Sequence, residues 1–235
     1  MAFEGFGKNA MPFFKALAFH QNREWFLENK KLYEQEAREP MVALVETLSE
    51  RFEKEGLPFR GSRKTSLFRI NRDVRFSKEK HPYKTNVTGV LTRTGTKKDV
   101  GGIYMHFDPE GSFPASGLWF PPSPELKAMR GQIVARWKDF KKLAADLEEA
   151  GTPLGLAGGQ GVLTRPPKGF ADIEDEELMG WLKRKSFVAQ LPIDEKRLTS
   201  PDLVEDVVAF GHTIMPFMNF VWRATDPLRE EDGAA

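Results

Sequence analysis

The apolar period of this chain changes twice, and that change restricts it to folds in which helices cover a sheet. Behind Pro40, the residues Met41, Leu44, Val45, Leu48 and Phe52 recur at i, i+3, i+4, i+7 and i+11, the stripe of a helix with one buried face. Gly56 stands where such a helix needs a left-handed residue to stop. From Ser66 to Phe120 the pattern shortens. Ser66 to Ile70, Tyr83 to Thr94, Gly101 to Asp108 and Ser112 to Phe120 are rich in β-branched and aromatic residues, and turns such as Thr94-Gly95-Thr96 and Pro109-Glu110-Gly111 part them. After Pro124 the helical period returns, with Leu126, Met129, Ile133, Val134, Trp137 and Phe140 leading a helix on to Ala150.

The remaining signals fit that frame. A first helix spans Asn9 to Phe19, and Asn22 can cap a second that carries Trp25, Phe26, Leu32 and Tyr33. The stretch from Gly151 to Gly161 reads as a loop, Asp175 to Lys183 as a short helix and Phe187 to Pro192 as a strand. A last helix starts near Ser200 with Val204, Val207, Val208, Gly211, Ile214 and Met215 on its inner face. The sequence therefore predicts an α+β fold, a central, largely antiparallel sheet with N-terminal and C-terminal helices packed on it. One domain is expected over residues 1–225, followed by an acidic flexible tail over 226–235. At 235 residues, 40% of them hydrophobic, the chain can bury a core of that size.

Charge is concentrated in one place. Between Arg60 and Lys84 stand nine cationic residues (Arg60, Arg63, Lys64, Arg69, Arg72, Arg75, Lys78, Lys80 and Lys84) against Asp73 and Glu79, a balance of +7 in a chain of net +1. The other residues therefore sum to about −6, and the basic segment predicts a positive patch or cleft. Within it, Arg72-Asp73-Val74-Arg75-Phe76 has no helical period and ends at the His81-Pro82 step, which disfavours helix. This reads as a strand end entering an ordered loop. Arg69, Arg72, Asp73, Arg75, Phe76, Lys80, Tyr83, Lys84 and Trp119 are the expected ligand-binding residues. Guanidinium forks would grip a phosphate or carboxylate, Asp73 would orient one of them, and Tyr83 would add a hydroxyl. The competing reading is an ion-pair network that only fixes the loop.

A second group lies on Ile103-Tyr104-Met105-His106-Phe107-Asp108, where period two puts Tyr104, His106 and Asp108 on one face. They are the candidate catalytic residues, with His106 as base and Asp108 as its orienter; an ordinary half-exposed polar face is the alternative. No metal is expected: His20, His81 and His212 lie in unrelated contexts and no His-x-His or His-Glu-x-x-His occurs. The absence of cysteine excludes disulfides, zinc-thiolate sites, thiol nucleophiles and iron–sulfur ligation. No cofactor motif is complete. Gly180 to Ser186 has Arg184 where a phosphate loop needs glycine, Gly155 to Gly161 lacks dinucleotide spacing, and no Gly-x-Ser-x-Gly is present. Trp25, Trp119 and Trp137 are read as core or cleft wall. No run approaches the roughly 20 apolar residues of a membrane span, and Met1 to Asn9 lacks the apolar core of a secretory leader, so a cytoplasmic protein is expected.

The run Arg69-x-x-Arg72-Asp73-x-Arg75-Phe76 with Lys80 and Tyr83, the upstream Asn22-Arg-Glu-Trp25-Phe26 and Asn29-Lys30, and the downstream Gly117-Leu-Trp119 resemble the bacterial family DUF2461. Pro167-Lys168-Gly169-Phe170 and Lys183-x-Lys185-Ser186-Phe187 resemble its C-terminal landmarks. The resemblance covers almost the whole chain and implies one fold unit of this length; it implies no reaction. Three functions follow from the residues themselves. The first is binding of a small phosphate- or carboxylate-bearing ligand, with Tyr104 and His106 available for chemistry if the protein is an enzyme. The second is nucleic-acid binding through the basic segment with Phe68, Phe76 and Tyr83. The third is a scaffold whose partner is another protein. The near-neutral total charge ranks nucleic acid below a small anion.

Overall fold

The computed structural model describes residues 2–75, 80–155 and 161–233. They form two compact units, Met1–Pro114 with Pro192–His212 and Ala115–Leu191 with Thr213–Ala235. Five strands, antiparallel at every described pairing, and the helices packed on them make the fold α+β.

In the first unit, α1 (Ala10–Phe19) is followed by α2 (Arg23–Tyr33), a π-helical segment (Glu34–Arg38) and α3 (Glu39–Lys54). Asn22 caps α2 as its sequence predicts, its side chain accepting the Trp25 N–H at 2.9 Å. The third helix does not begin afresh at Pro40; the backbone runs helically from α2 into α3. Proline lacks the N–H that would bond the carbonyl four residues earlier, that of Glu36. The Gly7 N–H takes that carbonyl instead, at 3.0 Å, and the Glu36 carboxylate accepts from the Asn9 N–H at the start of α1. A Cβ at Gly7 would lie 2.1 Å from the Glu36 carboxylate, so a larger residue there would have to push that side chain aside.

Met41, Leu44, Val45, Leu48 and Phe52 of α3 are fully buried, each contributing about 1.5–3 kcal/mol by burial. They pack on the hairpin of β1 (Val87–Leu91) and β2 (Ile103–Phe107), registered from Val87 opposite Phe107 to Leu91 opposite Ile103. Val87, Leu91, Ile103, Met105 and Phe107 form the buried face, and Gly89 leaves room for the Met41 sulfur.

Ser66 to Ile70, where the period predicts a strand, pairs only through isolated bridges, Leu67 with Gly89 and Asn71 with Tyr83. Four steps on one side, Leu67 to Asn71, face six on the other, Tyr83 to Gly89, so the two extra residues bulge and a continuous ladder cannot form. The first unit also holds α7 (Glu195–Leu198) and α8 (Leu203–Gly233) as far as His212.

The second unit takes the larger part of β3 (Phe113–Leu118), with β4 (Leu154–Gly155) and β5 (Phe187–Gln190), and β5 pairs with both. Here β4 occupies two residues of the predicted glycine-rich loop. The helix expected from Pro124 to Ala150 is two helices, α4 (Ser123–Ala135) and α5 (Trp137–Glu149), because Arg136 leaves helical geometry at φ −129°, ψ 44°. Val134, expected inside, is consequently 38% exposed. Phe140 sits in the core with its ring against Trp181 and Phe220. Arg130 is buried, and its guanidinium donates to the carbonyls of Leu182 and Arg184 at the end of α6 (Glu176–Leu182). The remainder of α8 carries helical backbone to Gly233.

Gly117 in β3 has φ +130°, and a Cβ there would come within 2.1 Å of the Phe187 carbonyl oxygen. Gly117→Ala is expected to cost on the order of 1–3 kcal/mol or more, read as a lower urea midpoint. Gly111→Ala, whose Cβ would meet nothing within 4 Å, should stay within about 0.5 kcal/mol of the parent.

Candidate functional site

In the first unit a cleft of about 310 Å³ opens beside the basic segment. Arg72, His81 and Lys84 supply its cationic and titratable lining, Gln21, Thr85 and Asn86 its neutral polar lining, and Ala18 and Tyr83 complete it. The wall is anchored at Tyr83, which is buried with its ring stacked on Phe26 at 4.4 Å and 21°. The Gln21 side-chain oxygen accepts the Tyr83 N–H at 3.0 Å. On either side of that anchor, Arg72 donates its N–H to Pro82 and Lys84 donates to Ile70, each at 2.8 Å. The backbones that carry the two cations are therefore rungs of one short antiparallel pair.

Burial, followed by the charges of Arg69, Arg72 and Lys97, pushes the Lys84 ammonium below the usual lysine range. Its Nζ lies 5.5 Å from the Phe68 ring centroid, and Lys97 Nζ lies 5.2 Å from the same ring. Among the described residues no carboxylate forms an ion pair with Lys84. The predicted salt bridge of the motif does form at Asp73. The Arg75 guanidinium grips both carboxylate oxygens, with Nε at 2.9 Å from one and Nη2 at 2.6 Å from the other. That hydrogen bonding, with Arg69 a smaller influence, holds the Asp73 carboxyl below its ordinary value. Both partners are exposed, so the pair is screened and contributes little to stability. Lys80 donates to the Val74 carbonyl at 3.0 Å. Phe76 lies outside the described residues. Trp119 belongs to the second unit and is 71% exposed, so it is not a core residue.

Tyr104, His106 and Asp108 do share one face of the hairpin. The Tyr104 hydroxyl is 3.2 Å from His106 Nδ1, and His106 Nε2 is 3.7 Å from the Asp108 carboxylate. The imidazole stacks on Phe113 at 5.0 Å and 13°. Burial raises the Tyr104 hydroxyl pKa. Burial also pushes the Asp108 carboxyl up, but the nearby His106 ring and the hydrogen bonds from the Glu110 N–H and the Asn86 amide outweigh this and leave it below the ordinary range.

None of these three side chains lines the cleft, and the face is linked to its lining at one remove in two places. Asn86 lines the cleft and donates to Asp108 at 3.4 Å, and the Phe68 ring beneath Lys84 meets Tyr104 edge-on at 6.0 Å. Gln21, Asn86 and Lys97 were not among the residues the sequence singles out. Gln21 stands 62 positions from Tyr83, and no spacing rule links a loop amide to a backbone N–H so far away. Asn86 opens an Asn-Val-Thr triplet whose sequon pattern says nothing of its bond to Asp108.

The family model described as conserved hypothetical protein (DUF2461) matches residues 9–220. The chain belongs to this family. No curated protein and no solved structure matches it. In this DUF2461 protein the upstream Asn22–Phe26 segment meets the arginine run through the Phe26–Tyr83 stack. Gly117-Leu-Trp119 and the later landmarks lie in the second unit. Among the described residues no three His, Asp or Glu side chains converge as a metal-ligand set, and no helix is long and apolar enough to cross a membrane.

Because the Asp108 carboxyl is depressed in the folded protein, its ionised form adds stability above the unfolded pKa of about 3.9. That stability is lost as the pH falls through the lower folded value. Asp108→Asn should therefore be less stable than the parent near pH 6, with the gap closing below about pH 4; urea unfolding at a series of pH values measures it.

Proposed function

We propose that the cleft binds a small anion carrying a phosphate or carboxylate group, with Arg72 and Lys84 as its direct partners and Arg69 and Lys97 adding to the positive field. The lining itself carries this reading. Its described side chains include an arginine, a lysine, a histidine and three neutral hydrogen-bonding groups, and not one Asp or Glu. Clustered cations repel one another. An anion entering the cleft relieves that repulsion and gains charge-assisted hydrogen bonds. A volume of about 310 Å³ lies at the small end of ligand sites and suits a metabolite better than a nucleic-acid strand.

The Tyr104–His106–Asp108 line supplies the acid–base groups for a reaction on such a ligand. The two ring nitrogens of His106 face these partners, Nδ1 the Tyr104 hydroxyl and Nε2 the Asp108 carboxylate.

Thermal unfolding with inorganic phosphate, a dicarboxylate or a short single-stranded oligonucleotide, at low and moderate salt, tests the reading. Phosphate or the dicarboxylate should raise Tm by about 2–4 °C for each kcal/mol of binding free energy. Arg72→Ala and Lys84→Ala should remain folded and lose that rise. A response to the oligonucleotide alone, falling steeply with salt, would transfer the basic segment to nucleic acid, and no response to any of the three would remove the anion site.

A further inference from the structure

We infer that Lys84 is an imine-forming amine, which condenses with a carbonyl group on a ligand whose phosphate or carboxylate rests on Arg72. The inference rests on the anion-binding reading and narrows the ligand to small 2-oxo acids or phosphorylated aldehydes and ketones.

Lys84 differs from the other lysines whose partners are known. Lys141 and Lys142 hold carboxylates at 3.2 and 2.7 Å, and Lys80 and Lys97 donate to backbone carbonyls. Such partners stabilise the ammonium and occupy it. Lys84 is a half-buried residue that lines the cleft with Arg72 and ion-pairs with no described carboxylate. Its side chain leaves a backbone bonded to Ile70, so its root is fixed at the cleft wall.

A lysine attacks a carbonyl only through its neutral amine, and desolvation and neighbouring cations are the two general means of raising that fraction. Both operate here. Burial acts first, and Arg69, Arg72 and Lys97 add to it. The Phe68 ring under Nζ favours the cation and opposes these two effects.

Arg72 completes the requirement by holding the charged end of the ligand, so that the carbonyl, one or a few bonds away, is presented to Nζ. The step is balanced without an oxidant. The Nζ lone pair bonds to the carbonyl carbon, the carbonyl π pair moves to oxygen, which takes a proton, and the nitrogen releases one. The carbinolamine oxygen then takes a second proton and leaves as water while the nitrogen lone pair forms the C=N bond, and the nitrogen gives up its remaining proton, returning the one consumed. One amine and one carbonyl become one imine and one water.

The test treats the full-length protein with glyoxylate or pyridoxal 5′-phosphate, reduces with borohydride and maps the secondary amines by peptide mass spectrometry. Lys84 should be labelled severalfold above exposed lysines such as Lys64 and Lys97, inorganic phosphate should suppress that adduct, and Lys84→Arg should abolish it. Arg72→Ala should lower Lys84 labelling at limiting aldehyde by about tenfold, the loss of one charge-assisted contact. Labelling spread over the exposed lysines, with Lys84 no higher, overturns the inference. If phosphate nevertheless raises Tm in an Arg72-dependent manner, the anion site stands and only the imine chemistry falls. If neither occurs, both fall.

Discussion

Tyr83 is the point on which the cleft depends. Its ring is buried against Phe26 of α2, its N–H is held by Gln21, and its backbone bridges to Asn71. Each tie joins residues distant in the chain, and together they fix a short antiparallel pair whose next rungs carry Arg72 and Lys84. A surface arginine and lysine would otherwise spread apart to lower their mutual repulsion and keep their rotamer freedom. The aromatic anchor supplies the constraint that keeps the two charges on one cleft.

The helical layer meets a comparable demand by a different device. Pro40 removes one backbone donor, and a π-helical segment spans the resulting gap while the Gly7 N–H satisfies the carbonyl of Glu36. The same glutamate receives the Asn9 N–H, so the chain before α1 is bound to the α2–α3 connection. Below this layer, the apolar stripe of α3 covers the inner face of the hairpin, which leaves the outer face for Thr88, Tyr104, His106 and Asp108. The pleat assigns those residues to one side, where the Phe68 ring lies between Tyr104 and the Lys84 ammonium, opposite the bulge between Tyr83 and Gly89.

Much of this was legible from periodicity. The stripe from Met41 to Phe52, the cap at Asn22, the stop at Gly56 and the shared face of Tyr104, His106 and Asp108 are short-range features, and rise and pleat alone determine them. The strand expected at Ser66 to Ile70 failed to form a ladder because register depends on the partner, which carries two extra residues. The helix after Pro124 broke at Arg136 although its apolar spacing reads continuously. Trp119, apolar by composition, is exposed, since hydrophobicity gives a preference for burial and not a location.

The sequence by itself determined the α+β class, the family, the position of the basic segment and the alternation that lines up the polar face of β2. All of these follow from residue type and neighbours within about a dozen positions. The tertiary structure alone decided which cations share a cleft, that Asp73 is taken by Arg75 while Lys84 has no described acid, and that Gln21 and Asn86 belong to the lining. Charge partners are chosen by proximity in space, at distances of a few ångströms that the fold sets between residues far apart in the chain.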